Sequence, residues 1–481
     1  MPRVLVRTTG CQMNVHDSEK IENLLLHRGW SRASALEQAD LLVINTCSIR
    51  EKAEHHLYSE LGLLREWKAA GAGRVLAVGG CVAQQEGDAL LRRFPHLDFV
   101  FGTHSLRWVP AMADAARGGS RAARVEQTRS LDRFDWPERH PDFPDATPGR
   151  ASLTVMEGCD MFCSFCIVPR TRGREISRPA DGILAEARAL VAGGACELTL
   201  LGQTVNAYGR HDRRRRESGR TGGGDPGAAM TIGFADLLHD LARIPGLRRI
   251  RYTSPHPSFF DTALVRAHAE IEALCPHVHL PVQSGSDAVL AHMRRRYTRR
   301  DFLASVEALR AARPELVLTT DLIVGFPGET DRDFCETLSL VREVGFVDSF
   351  SFKYSPRPGT PAAELSDSPA PELAQERLEE LQALQREQTL TYHRSRIGQR
   401  TEVLVSGPSR RGGLQLSGRD PAHRVVNFEA PNGVVVAPGS LQAVDVVEAS
   451  PHSLIGSLAG PHRLPTTQIV GGRVRTGRSL P

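Results

Sequence analysis

At 481 residues, with 41% hydrophobic and 24% charged side chains, the chain is long enough for two or three cored domains and too apolar to be intrinsically disordered. No stretch approaches the roughly 18 apolar residues that cross a bilayer, and Met1 to Gly10 reads as a strand, so a cytoplasmic protein with no membrane contact is expected. A net charge of +4 with locally clustered arginines is compatible with an RNA partner without demonstrating one, and nine cysteines in a reducing compartment favour metal binding over disulfides.

In chain order, strands are predicted at Arg3 to Thr8, Leu41 to Asn45 and Arg74 to Val78. Helices follow them at Ser18 to Arg28, with Ile21, Leu24 and Leu25 on one face, at Glu51 to Ala70 and at Gln84 to Arg93. This alternation predicts an α/β domain with a parallel sheet of βαβ units over residues 1–130. Residues 131–149 are proline-rich and aperiodic, and read as a linker. Strands resume at Ala151–Met156, Glu197–Leu201, Arg248–Thr253, His277–Leu280, Val317–Ile323 and Ser349–Tyr354. Six βα repeats predict a partial or open (β/α) barrel within residues 150–396, with its active site at the carboxyl ends of the strands. Arg210 to Gly227, rich in Arg and Gly, reads as a mobile surface insertion, and Glu372 to Arg396 as one long charged helix. Short β-rich runs at Glu402–Val405, Gly413–Leu416, Arg424–Phe428, Val434–Val436 and Gln442–Glu448 then predict a small antiparallel β-barrel over residues 397–460. Residues 461–481 read as a disordered basic tail.

The chemistry-bearing signal lies in the cysteines. Gly158-Cys159-Asp160-Met161-Phe162-Cys163-Ser164-Phe165-Cys166 has C-x3-C-x2-C spacing directly after a predicted strand. Three thiolates hold three irons of a cubane and leave the fourth iron open to a small molecule. Structural zinc, the competing reading, normally closes its shell with four protein ligands. A second set is scattered in sequence, because each of the first three strands ends in a cysteine: Thr9-Gly10-Cys11, Asn45-Thr46-Cys47 and Gly79-Gly80-Cys81. In a parallel sheet these ends share one edge, where open α/β proteins bind ligands. The separations of 36 and 34 residues are one βαβ unit each. Any one of these cysteines alone reads as a small buried core residue. Three at matching strand ends point to a second metal cluster, whereas Cys196, Cys275 and Cys335 read as ordinary thiols.

The spacing of the loop triad, with Phe165 before its last cysteine, resembles the radical S-adenosylmethionine (SAM) enzymes. Two triads, one from a βαβ domain and one in the loop, resemble the methylthiotransferases, which add a carboxyl-terminal TRAM domain. Within that group the chain resembles the MiaB family of tRNA-2-methylthio-N6-dimethylallyladenosine synthases. The segments that carry this are Thr9–Asn14, Thr171–Pro179, Leu201–Asn206, His279–Ser286 and Val324–Thr330, and the resemblance runs from residue 3 to about 457. The chain departs from the family pattern at Arg170, where tyrosine is frequent, at Thr204, where asparagine is usual, in the 210–227 insertion and in the tail.

The resemblance implies methylthiolation at C2 of N6-(dimethylallyl)adenosine, 3′-adjacent to the anticodon in tRNA. SAM and two [4Fe-4S] clusters are the implied cofactors. Cys159, Cys163 and Cys166 would be catalytic ligands of the radical SAM cluster, whose reduction cleaves SAM to a 5′-deoxyadenosyl radical. Removing an aryl hydrogen lies outside acid–base side-chain chemistry, so a cofactor must do it. Cys11, Cys47 and Cys81 would hold an auxiliary cluster whose open iron carries the sulfur, methylated by a second SAM. The implied partners are the tRNA anticodon loop, with its target base unstacked, an electron donor, and a sulfur or cluster-supply protein. The alternatives are a sibling enzyme acting on threonylcarbamoyl-adenosine or on a ribosomal-protein aspartate, and a non-enzymatic iron–sulfur or zinc RNA-binding protein.

Beyond the cysteines, Gly202, Gln203, Gln283, Ser284 and Gly325 fall at predicted strand ends, as SAM or substrate contacts or as turn residues. Asp321 lies within a strand. Thr171 to Arg174 suits phosphate or the SAM carboxylate, or is a solvated arginine pair. Arg410, Arg411, Arg419, Arg424 and an exposed-looking Phe428 in the small barrel suit RNA. Arg294–Arg296 with Arg299 and Arg300 suit either an RNA backbone or a solvated helix face.

Overall fold

The computed structural model describes residues 1–48, 51–143, 148–210, 232–409, 412, 415–431 and 433–460. Most of the predicted Arg210–Gly227 insertion, Arg410, Arg411 and the 461–481 tail lie outside the described residues. The chain divides into two compact units, Met1–Tyr392 and His393–Pro481.

The first unit opens with a six-stranded, all-parallel sheet. In chain order its strands are β1 (Arg3–Thr9), β2 (Ser31–Arg32), β3 (Leu41–Thr46), β4 (Val75–Gly80), β5 (Phe99–Phe101) and β6 (Ala122–Arg124), arranged 2-1-3-4-5-6. Every residue of β3 and β4 is buried, as expected of a parallel sheet covered on both faces. Successive residues point to opposite faces. Leu42, Ile44, Leu76 and Val78 therefore pack with Leu57, Leu61 and Leu64 of the Glu51–Ala69 helix. Leu41, Val43, Val75 and Ala77 pack with Ile21 and Leu25 of the Gln12–Leu26 helix on the other side. That helix begins six residues before the predicted Ser18, because its first turns bury Asn14, His16 and Asp17 and hide the apolar period. The predicted Gln84–Arg93 helix is broken at Gly87 (φ 51°) into Cys81–Glu86 and Asp88–Arg93.

The barrel strands are β7 (Arg150–Thr154), β10 (Glu197–Leu201), β11 (Arg249–Tyr252), β12 (His277–His279), β13 (Val317–Val324) and β14 (Asp348–Lys353). A short antiparallel pair, β8 (Met156–Glu157) and β9 (Ile176–Ser177), flanks the loop after β7. The six barrel strands form two parallel sheets, β7-β10-β11 and β12-β13-β14, joined by a bridge between Ile250 and Leu274. This is the open (β/α) arrangement predicted. Leu153, Leu198, Leu200, Ile250, Val278, Leu318 and Leu322 share one core with helix residues such as Ile183, Leu237, Leu264, Phe302 and Leu338. The long predicted helix is present as Pro371–Ser395.

The second unit contains a closed five-stranded barrel in the order β15-β16-β17-β19-β18. Its strands are Arg400–Pro408, Gln415–Arg419, Val425–Glu429, Leu441–Ala449 and Leu454–Leu458, numbered β15 to β19. The closed five-stranded barrel agrees with the prediction, with β17 and β19 paired in parallel and the other neighbours antiparallel, but one strand does not. Val434–Val436 is not a strand, and Val435 is 95% exposed; the fifth strand is β19. Phe428 is also buried, against the sequence reading, because it packs with Val403, Val426 and Val444 in the barrel core. Among the described residues, no helix is long and apolar enough to cross a membrane.

Candidate active site

The first three cysteines meet because three neighbouring strands end in step. Thr9 of β1, Thr46 of β3 and Gly80 of β4 share one register row, so Gly10-Cys11, Cys47 and Cys81 leave the sheet side by side. The backbone N–H of Cys47 donates to the Thr9 carbonyl at 3.1 Å, and Cys11 precedes the first residue of its helix. Gly80 has φ 91°, and a Cβ there would stand 2.3 Å from the Thr46 carbonyl oxygen, so the turn that delivers Cys81 requires glycine. Asn14 and Asn45 are fully buried beneath the triad. Asn14 Oδ1 accepts from Cys11 Sγ at 3.2 Å, and Asn45 Nδ2 donates to the Asn14 carbonyl at 2.8 Å and Ser18 Oγ at 2.9 Å.

The three sulfurs interact directly. Hydrogen bonding to Cys47 lowers Cys11 to about 6 and Cys81 to about 7, against the opposing effect of burial. The Arg172 guanidinium adds to both shifts. Cys47, placed between them, is pushed up for the same reason.

The second triad sits in the loop after β8. Gly158 has φ 79° and lies so close to the Arg174 carbonyl that a Cβ would meet it at 2.1 Å. The Gly158 N–H donates to Gln203 Oε1 at 2.5 Å, and the Cys159 N–H to the Gly173 carbonyl at 3.2 Å. Further along, Ser164 ties the loop to the 292–295 turn, its N–H donating to the Met293 carbonyl at 3.0 Å and its hydroxyl to the His292 carbonyl at 2.7 Å. That turn brings buried Arg295 to Cys163, Nη1 to Sγ 3.4 Å, while Thr204 Oγ1 lies 2.9 Å from Cys159 Sγ. Cys159, Met161 and Cys163 cluster with Phe165, Cys166 and Phe259. Burial pushes Cys166 up to about 12, helped by the charges of Cys163 and Cys159. Burial also raises Cys159, against the Thr204 hydrogen bond.

Two buried ion pairs, one from the Gln12–Leu26 helix and one from the Leu131–Phe134 turn, hold the preceding chain to this loop. Arg172, just past the Val168–Thr171 turn, pairs with Asp17 at 2.6 Å, both side chains being buried. Arg133 pairs with Glu157, the residue before Gly158. Thr103 Oγ1 donates to the Thr171 carbonyl at 2.6 Å, and the His104 ring lies 2.9 Å from the Arg172 carbonyl. Removing one partner of a buried pair costs about 3–5 kcal/mol, because the other charge stays buried without compensation. Glu157→Ala is therefore expected to lower thermal stability sharply, and the double variant Arg133→Met/Glu157→Leu to recover most of the loss in the same melting experiment.

Comparison with known proteins identifies the family. The family profile described as "Uncharacterized protein family UPF0004" matches residues 3–102, and that of the "Radical SAM superfamily" matches residues 153–341. The tRNA-2-methylthio-N(6)-dimethylallyladenosine synthase of Geobacter metallireducens is 48% identical over 94% of this chain and 98% of its own length. That of Geobacter sulfurreducens is 46% identical over 94% and 96%. The chain belongs to the tRNA-2-methylthio-N(6)-dimethylallyladenosine synthase family. As a member, it is a radical SAM methylthiotransferase with SAM and [4Fe-4S] clusters as cofactors. In fold it is similar to the radical SAM methyltransferase TsrM of Kitasatospora setae, with TM-score 0.56, 15% identity and coverage of 76% of this chain and 75% of that one. The form of TsrM with cobalamin and a [4Fe-4S] cluster bound gives TM-score 0.54 at 16% identity, covering 76% and 77%.

The donor sets of this family member suit such clusters. Among the described residues, no three His, Cys, Asp or Glu side chains are arranged around a single metal ion. A cubane does not need them to be, since it takes one thiolate on each of three irons. Around the triads, the structure gives the other singled-out residues definite partners. Gln203 spends its carbonyl on the Gly158 N–H. Ser284 is fully buried, with its hydroxyl 3.2 Å from Thr337 Oγ1 and accepting from the Ser286 N–H. Gln283 holds φ 74° in a bridge with Leu322, its backbone N–H donating to the Asp321 carbonyl at 2.9 Å. Asp321 faces His279 at 3.3 Å. Arg172 is no solvated cation, while Arg174 pairs with Asp160 at 2.5 Å and lies over Phe162. Arg299 pairs with Glu343 at 2.7 Å, so the arginine run divides between the site and the surface. Thr204 and Arg295 as sulfur contacts were not legible in the sequence. The flanking Arg294 and Arg296, at φ 56° and 57°, turn Arg295 inward.

Proposed function

We propose that the chain transfers a methylthio group to C2 of N6-(dimethylallyl)adenosine beside the anticodon of tRNA, with the two cysteine triads as the ligands of its two clusters. The observation that carries this reading is the presence of both triads in one compact unit, linked through Arg172. Cys159, Cys163 and Cys166 bind the radical SAM cluster; Cys11, Cys47 and Cys81 bind the auxiliary one. When bound, the clusters supply what no side chain can: an electron for SAM cleavage and a site for the sulfur.

The chain's own residues hold and shield these sites. Gln203, Ser164 and Gly173 fix the loop backbone, Thr204 and Arg295 contact two of its sulfurs, and Phe165 packs edge-on against Phe326 at 6.5 Å. Gln283 is the candidate for contact with SAM or the base, because it is buried in a left-handed conformation next to a barrel strand. Residues 1–130 form the auxiliary-cluster domain, 131–149 the linker, 150–396 the radical SAM core and 397–460 the RNA-binding TRAM-like barrel. An anticodon-loop substrate places the work in the cytoplasm, with an electron donor and a sulfur or cluster-supply protein as further partners.

Mass spectrometry of tRNA nucleosides from a strain lacking this gene tests the substrate. The methylthiolated dimethylallyl nucleoside is expected to disappear and its unmethylthiolated precursor to accumulate. An unchanged nucleoside profile, or loss of a methylthio-threonylcarbamoyl nucleoside instead, contradicts the assignment.

A further inference from the structure

The auxiliary triad is bordered by polar atoms whose valences the protein leaves unfilled. Arg172 Nη1, Thr46 Oγ1, Ser48 Oγ and Asp17 Oδ1 are buried without a hydrogen-bond partner. His16 Nε2, one residue before Asp17, is in the same condition. Thr46 and Ser48 flank Cys47, and both are 1% exposed. Arg172 is 2% exposed; it gives Nη2 to Asp17 and keeps Nη1 free. Buried polar atoms are ordinarily satisfied, so a group of them beside three converging thiols marks a place where something outside the polypeptide completes the bonding.

The chemistry of that missing group follows from its surroundings. One guanidinium N–H and two hydroxyls offer hydrogen to an anion, and the three cysteines make the site soft and sulfur-lined. The cation reaches this place from the other triad's loop, six residues past Cys166, so the two sites share a charge. Asp17 carries the opposite charge but already accepts from Arg172 through Oδ2, and so orients the guanidinium.

We propose that Arg172, with the hydroxyls of Thr46 and Ser48, forms a donor pocket for the anionic sulfur awaiting transfer, a hydrosulfide or methanethiolate ion at the Cys11–Cys47–Cys81 site. This rests on the reading that the triad holds the auxiliary cluster. Arg172 is a positioning residue: it stabilises negative charge on the sulfur and on the cluster it joins, and so raises the cluster's reduction potential.

The test uses the full chain with Cys159, Cys163 and Cys166 replaced by alanine, so that only the auxiliary site loads with iron and sulfide. Methanethiolate is titrated in and followed by electron paramagnetic resonance, and the midpoint potential is measured in parallel. Arg172→Gln is expected to weaken methanethiolate binding about tenfold or more, the effect of losing one charge-assisted hydrogen bond, and to lower the potential. Arg172→Lys restores most of both, which a purely structural role of the residue does not predict. Should Arg172→Gln fail to load iron, Thr46→Val/Ser48→Ala with Arg172 intact is expected to weaken binding severalfold. Parent-like affinity and potential in the glutamine variant, or parent-like affinity in the Thr46/Ser48 variant, overturn the donor pocket. Failure of the Arg172-intact background to bind any iron overturns the auxiliary-cluster reading instead, a result that iron analysis distinguishes from the first.

Discussion

A Cys163→Ala chain, reconstituted with iron and sulfide and reduced in the presence of SAM, is expected to release no 5′-deoxyadenosine above the protein-free background. Cys163 is the middle thiol of the buried loop triad and the one that Arg295 contacts at 3.4 Å. Alanine removes a sulfur and adds nothing, so the surrounding cluster of Met161, Phe165 and Phe259 loses little packing. Loss of the product is therefore a loss of cluster ligation. Chromatography of the nucleosides reads it directly, and a melting curve close to the parent's separates it from unfolding. Product at the parent's level removes the loop triad from the radical step.

The complementary result comes from Cys47→Ala. It is expected to form 5′-deoxyadenosine within about twofold of the parent while inserting no sulfur into tRNA. Cys47 is the sulfur between Cys11 and Cys81, and without it the other two lose the hydrogen bonds that hold them toward the thiolate form. Arg172, which carries the segment after the loop triad onto this site, keeps its ion pair with Asp17 after the change. A Cys47→Ala chain that still methylthiolates tRNA, measured by mass spectrometry of the digested nucleosides, would assign sulfur delivery elsewhere.

The sequence exposed the skeleton of this arrangement and hid its joints. Six cysteines stood out because their spacing follows backbone geometry: four and three residues apart in a loop, or one βαβ unit apart at strand ends. β3 and β4 were legible as apolar runs, while β2, β5 and β6 are two or three residues long and leave no period. What stayed hidden depends on the third dimension. Arg172, Arg295, Arg133 and Glu157 are charged side chains that composition assigns to the surface, and each is buried because its partner arrives from a distant segment. Thr204 looked like a departure in a substrate loop, yet its hydroxyl touches Cys159. In the small barrel, Val434–Val436 read as a strand by composition, whereas the chain turns there and closes the barrel with Leu454–Leu458.

The division of the chain into two clusters held by two triads is tested most directly by counting iron. The reconstituted parent is expected to bind about eight irons, four for each cubane. The chain with Cys11, Cys47 and Cys81 all replaced by alanine, and the chain with Cys159, Cys163 and Cys166 all replaced, are each expected to bind about four. Parent-level iron in either triple variant contradicts the account.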